Sequence, residues 1–86
     1  MLPESSNTLA RVVKVMVRTF PTLQAKSVTR ETVSSDVQGW DSLSHSMLIM
    51  GVEEEFGMEL PLGEVYALAD VGALVDLIDR LNAAVP

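Results

Sequence analysis

Apolar residues recur along this chain at helical spacing, and nowhere do they alternate as a strand would require. Leu9, Val12, Val13, Met16 and Phe20 form one stripe, which predicts a first helix from about Ser6 to Thr19. Ser5 or Ser6 is suited to cap it, and Pro21 limits its end. A second run from Ser42 to Phe56 has two faces. His45, Leu48, Ile49, Val52 and Phe56 fall on the first, which is expected to be core. Leu43, Met47, Met50 and Glu54 fall on the second, with Ser46 and Glu53 beside them and Ser42 at the border. Asp41 is a good N-cap for this helix, and Gly57 stands where a left-handed cap would end it. After an extended link at Glu59-Leu60-Pro61-Leu62, residues Gly63 to Ala69 allow a short third helix, with Val65 and Leu68 inward. Asp70 caps a fourth, whose buried face is Val71, Leu74, Val75, Ile78 and Leu81 and whose wet face is Asp76, Asp79 and Arg80. Asn82 to Pro86 are expected to fray.

The expected fold is therefore all-α: a small four-helix bundle of three main helices and a short third one, in a single domain spanning residues 1–86 with an ordered core of about 6–82. Its unusual part is the connection from Pro21 to Asp41, which is long for so small a domain unless it packs. Val28, Val33, Val37 and Trp40 are its expected anchors, with a turn of helix near Val33 to Val37.

Charge sharpens this picture. Residues 1–30 carry a net charge of +4, residues 31–79 hold eleven acids and no Lys or Arg, and the whole chain is at −6. Such a region repels nucleic-acid phosphates and anionic lipid, and favours partners with basic patches. The basic row Arg11, Lys14 and Arg18 reads as a solvated face without function. With no cysteine, there is no disulfide framework, thiolate metal site or cysteine nucleophile. A lone histidine and acids without a calcium-loop signature give no expected metal site. The start at Met1-Leu2-Pro3-Glu4-Ser5 lacks the pattern of a signal peptide, and no apolar run reaches membrane-spanning length. A cytoplasmic monomer is the expectation.

One hydroxyl stands out. Ser42 opens a helix directly after a capping acid, in Gly39-Trp40-Asp41-Ser42-Leu43. Asp41, Ser42 and His45 are close in sequence and invite a hydrolase reading. That reading fails because His45 is expected on the core face, Asp41 is engaged in capping, and the segment lacks the second glycine of a nucleophile elbow. No catalytic residue is assigned, and the protein is not expected to be an enzyme.

Asp41-Ser42-Leu43, the amphipathic helix, its end at Glu53-Glu54-Glu55-Phe56-Gly57 and the following Glu59-Leu60-Pro61 together resemble the acyl carrier protein family. The resemblance covers residues 41 to about 80. It implies that Ser42 bears 4′-phosphopantetheine derived from coenzyme A, and that Asp41 helps a phosphopantetheinyl transferase recognise the site. It also implies that Leu43, Ser46, Met47, Met50, Glu53 and Glu54 face partner enzymes: the transferase, a loading ligase or transferase, and downstream biosynthetic enzymes. The arm would hold acyl intermediates as thioesters and move them between enzymes.

Met47 stands where many fatty-acid carriers have an acid, and Leu62, Gly63 and Tyr66 make the third-helix region less acidic than usual. Trp40 replaces their usual small residue, and Trp40-Asp41-Ser42-Leu43 resembles discrete carriers of polyketide and related specialised pathways. An aminoacyl or peptidyl carrier loaded by an adenylating ligase shares the same serine. An unmodified helical interaction module is the further alternative.

Overall fold

The computed structural model describes residues 4–84. It is all-helical, in the order α1 (Glu4–Thr19), α2 (Ser42–Phe56), α3 (Leu62–Val65) and α4 (Val71–Ala84), with single 3₁₀ turns at Ala25–Ser27 and Ser34–Asp36 between α1 and α2. None of these helices is long and apolar enough to cross a membrane.

α1 packs against both α2 and α4. Arg11 meets Glu55 near the end of α2, Thr8 meets Asp79 near the end of α4, and the Phe20 ring meets Trp40 at a tilt just before α2 begins. α1 is therefore antiparallel to both of its neighbours. Two contact directions demand a wider apolar face than one stripe supplies. Val15 accordingly joins Val12, Met16 and Phe20 in the core, and Leu77 joins Val71, Leu74, Val75 and Ile78. Leu9, Val13 and Leu81 are only partly buried against that core.

The caps hold where they were expected. The Asp70 carboxylate accepts from the Ala73 N–H at 2.8 Å. Gly57 adopts φ 63°, ψ 39° and ends α2, its N–H and that of Met58 both donating to the Glu53 carbonyl. Other expectations change. α1 reaches back to Glu4, so Ser5 and Ser6 lie in its first turn rather than ahead of it. α3 is a single turn ending at Val65, not at Ala69. The chain must leave helical geometry before Asp70 so that this residue can act as the α4 cap. α4 is helical through Asn82 to Ala84, and residues 85 and 86 lie outside the described residues.

The basic row on α1 is more than a wet face. Arg11 and Lys14 both pair with the Glu55 carboxylate, at 3.0 and 3.2 Å, and Arg11 Nη2 donates to the Glu55 carbonyl at 2.7 Å. The guanidinium also lies 4.2 Å over the Phe56 ring. This satisfies a carbonyl in the last turn of α2 and places cations at the negative end of its dipole. Asp79 is likewise half-buried and accepts from Thr8 Oγ1.

The long connection does pack. Val28 and Val37 are buried, Val33 and Trp40 half-buried, and Thr32 joins the buried set unforeseen. The 3₁₀ turn at Ser34–Asp36 lies in the expected place.

Gly51 faces α1 so closely that an added Cβ would stand 2.7 Å from Val15 Cγ1. Gly51→Ala improves helix propensity but forces α1 and α2 apart. A net loss of about 1–3 kcal/mol is expected, read as a lower urea midpoint.

Candidate functional site

α2 begins where Asp41 leaves extended geometry, at φ −130° and ψ −169°. The Asp41 carboxylate accepts from the Ser44 N–H at 2.9 Å, and the Asp41 N–H donates to Ser44 Oγ at 2.8 Å. This is a reciprocal capping box with serine in the place more often held by Glu or Gln. The single Ser44 hydroxyl hydrogen has the Gly39 carbonyl at 2.8 Å and Asp41 Oδ1 at 3.1 Å as acceptors to share it, and Gly39 turns the chain at φ 87°. The Ser44 N–H first, then the Ser44 hydroxyl, hold the Asp41 carboxyl below its ordinary pKa.

Ser42 follows as the first residue of α2 and is exposed. Among the described residues no side chain or backbone group takes its hydroxyl as a hydrogen-bond partner. A free hydroxyl therefore stands at a capped helix start, while the neighbouring acid is turned into the cap.

His45 is where the hydrolase reading meets its geometry. Trp40 Nε1–H donates to His45 Nδ1 at 3.1 Å. An indole nitrogen only donates, so Nδ1 is the acceptor and Nε2 carries the hydrogen. That hydrogen goes to the Val65 carbonyl, 2.9 Å away. Both ring nitrogens are thus engaged away from Ser42, and the Asp41 carboxylate lies on Ser44 rather than behind the imidazole. The triad arrangement is not formed.

The aromatic rings continue this row. Trp40 lies 5.1 Å from Phe20 and 6.0 Å from His45 between centroids, and His45 lies 5.3 Å from Tyr66. Trp40 is thus the loop anchor that an aromatic before the cap suggested, and it ties the loop to Phe20, just past α1, and to His45 of α2. Beneath these rings a cleft of about 300 Å³ opens beside Ser42. Leu48, Val65, Leu68 and Leu74 are among its walls, and Thr32, Ser34 and Asp70 add polar groups.

The remaining site candidates divide. Leu43, Met47 and Met50 are exposed at 72%, 53% and 66%, an apolar stripe running away from Ser42, and Glu54 is exposed at its far end. Ser46 and Glu53 are half-buried. Glu53 Oε2 accepts from the Leu60 N–H at 2.8 Å, so this acid fastens the α2–α3 link as well as edging the stripe. Ser46 Oγ lies 3.3 Å from the Tyr66 hydroxyl. Leu62 and Tyr66, exposed at 73% and 63%, add apolar surface at the start of α3 and just past its end. Sequence periodicity on α2 alone could not find these two, because α3 is a single turn. Their place one helical turn apart, after the helix-ending Gly57, was the signal available.

No model of a known protein family matches this chain. Among the described residues no group of three or more His, Cys, Asp or Glu is placed to hold a metal ion.

The cap has a pH signature. Because the folded-state carboxyl of Asp41 titrates below its ordinary value, its contribution to stability is present above that ordinary value and is lost as pH falls through the depressed one. Asp41→Ala is therefore expected to lower the urea midpoint at pH 7. The gap to wild type should close as pH falls toward the acid limb, a series of equilibrium unfolding curves being the measurement.

Proposed function

We propose that this protein is a carrier whose Ser42 is modified with 4′-phosphopantetheine, and that it serves a specialised biosynthetic pathway of the polyketide or a related kind. The observation that carries the reading is the unpartnered, exposed Ser42 hydroxyl at the first position of α2, with an apolar stripe running from it along the same helix.

The local residues fit the group. A carrier serine needs no base of its own, because a separate transferase acting with Mg²⁺ and coenzyme A would supply one, and none is engaged with Ser42. The product at this oxygen is a phosphodiester anion. The first turn of a helix stabilises an anion there through its unsatisfied N–H groups and its dipole. When bound, the group supplies a flexible arm ending in a thiol that holds acyl cargo as a thioester.

Several residues of this chain would serve such a role. Leu43 and Met47 flank the serine and are covered by any enzyme whose active site reaches it. Exposed methionines at Met47 and Met50 adapt their shape to more than one partner. Trp40 and His45 hold the helix start still while enzymes engage it.

Incubation with coenzyme A, Mg²⁺ and a promiscuous phosphopantetheinyl transferase is expected to raise the intact mass by one phosphopantetheinyl group. Ser42→Ala should show no gain while keeping its helical circular dichroism. An unmodified wild-type protein, beside a control carrier modified in parallel, would instead favour a helical interaction module. Loading the modified form with acyl transferases and with adenylating ligases then sorts acyl from aminoacyl cargo.

A further inference from the structure

α3 is one turn long, and one turn does not hold itself together in water. Its N-cap, Pro61, makes no side-chain cap bond. Its own backbone bonds close at Pro61 O, which accepts from Glu64 and Val65, and at Glu64 O, which accepts from Ala67. The last carbonyl, at Val65, points out of this set, and the final carbonyls of a helix need outside partners. His45 is that partner. Its Nε2–H reaches Val65 O at 2.9 Å, while Nδ1 accepts from Trp40 at 3.1 Å. One imidazole thus joins the loop before α2, the first turn of α2, and the end of α3.

That junction has a consequence for the surface. The exposed large hydrophobic residues among the described ones are Leu43, Met47 and Met50 on α2, Leu62 at the start of α3 and Tyr66 just past its end. The two groups belong to different segments, and their relative placement depends on what fixes α3. The Glu53 carboxylate holds the Leu60 N–H in the link ahead of α3, and the His45 ring itself meets Tyr66 at 5.3 Å. Past the link, the ties that do not involve His45 are an exposed Arg80–Glu64 ion pair and the long Ser46–Tyr66 contact at 3.3 Å, each weak in water, with Val65 buried beneath them.

We propose that His45 is a positioning residue for partner recognition. Half-buried and away from Ser42, it locks α3 to the serine end of α2, so that the two apolar groups meet a partner enzyme as one surface. What docks there rests on the carrier reading. The lock itself rests only on the hydrogen bonds.

Three substitutions separate the two halves of the relay. An Asn amide ends near the position of Nδ1 and a Gln amide near that of Nε2. His45→Asn therefore keeps an acceptor for Trp40 and loses the Val65 bond, His45→Gln does the reverse, and His45→Phe keeps the ring and loses both. In the unmodified protein, amide exchange at Glu64, Val65 and Ala67 is expected to be about tenfold faster in the Phe and Asn variants and near wild type in the Gln variant, the scale of one hydrogen bond. Emission of Trp40, the only tryptophan, should change in the Phe and Gln variants and stay near wild type in Asn.

With a promiscuous phosphopantetheinyl transferase and coenzyme A, KM for the protein should rise about tenfold in Phe and Asn with kcat within about twofold, and Gln should restore it. Exchange that is alike in all three variants overturns the lock. Faster exchange with unchanged KM, or KM raised equally in Gln and Phe, overturns the role in recognition. If the wild-type protein is not modified at all, the carrier reading fails and the recognition role falls with it, and amide exchange alone then decides the lock.

Discussion

With α1 packed against both α2 and α4, the connection from Pro21 to Asp41 has to close the remaining side of a small core, and it does so by joining two shortages. A helix start has N–H groups without partners, and a loop has carbonyls without partners. Here the Thr32 carbonyl accepts from the Val71 N–H at 2.9 Å and the Arg30 carbonyl from the Gly72 N–H at 2.7 Å. Gly72 is what permits the approach, since a Cβ at that position would stand 3.0 Å from the Arg30 carbonyl oxygen. The Arg30 guanidinium then closes over Asp76 at 2.8 and 2.9 Å, one turn further along α4.

The rest of the Ser42 side is built outward from that seam. Once the loop is seated on the start of α4, Val37 is buried and Trp40 comes to rest on Phe20. Trp40 immediately precedes Asp41, so the indole sets where α2 begins and where Ser42 emerges. The same indole nitrogen orients His45, and His45 holds the end of α3. Position passes from loop to indole to imidazole to α3 through contacts that each have a defined geometry. The cleft beside Ser42 is walled by members of every one of these elements, from Thr32 in the loop to Leu74 in α4.

This ordering explains what could be read from the sequence. Asp41, Gly57 and Asp70 were legible as helix ends because capping is local: the residue type and its place before or after an apolar run decide it. The centres of the α2 and α4 core faces were legible in periodicity, whereas Leu77 was missed and His45, Phe56 and Leu81, expected inside, are only half-buried at the helix ends. What was not legible joins residues far apart in the chain. Arg11 reaches Glu55, Arg30 crosses to Asp76, Thr8 meets Asp79, and His45 finds a carbonyl of α3. In each case the sequence shows a polar residue on an amphipathic helix or in a loop, and only the packing of another element against it turns it into a tie. Val15 was hidden for a related reason. A single stripe fits a helix with one neighbour, and nothing local announces that α1 has two. At the candidate site, Ser42 and the α2 stripe were visible as a motif and a spacing, while the α3 half of the apolar surface emerges only when Tyr66 is placed against Ser46.

The same ties change the meaning of the charge. Eleven carboxylates between residues 31 and 79 look like an acidic surface awaiting a basic partner. In the folded chain, Glu55, Glu64 and Asp76 are paired with Arg11, Arg80 and Arg30. Asp36, Asp41, Glu53 and Asp70 accept backbone N–H groups, and Asp79 accepts the Thr8 hydroxyl. Glu31, Glu54 and Glu59 are the ones without such a partner among the described residues. Acids that accept N–H groups still carry charge, so the long-range field remains and can speed an encounter with a cationic partner. Close-range charge contacts are fewer than the count implies. Along α2 the near end offers Asp41, already held by its cap, and the far end offers Glu54, with Leu43, Met47 and Met50 between them. In the proposed carrier role, a partner that reached Ser42 would be steered by the field and would then settle on apolar surface. How long it stayed would depend on the shape of that surface, and the shape depends on whether α3 is held in register with α2.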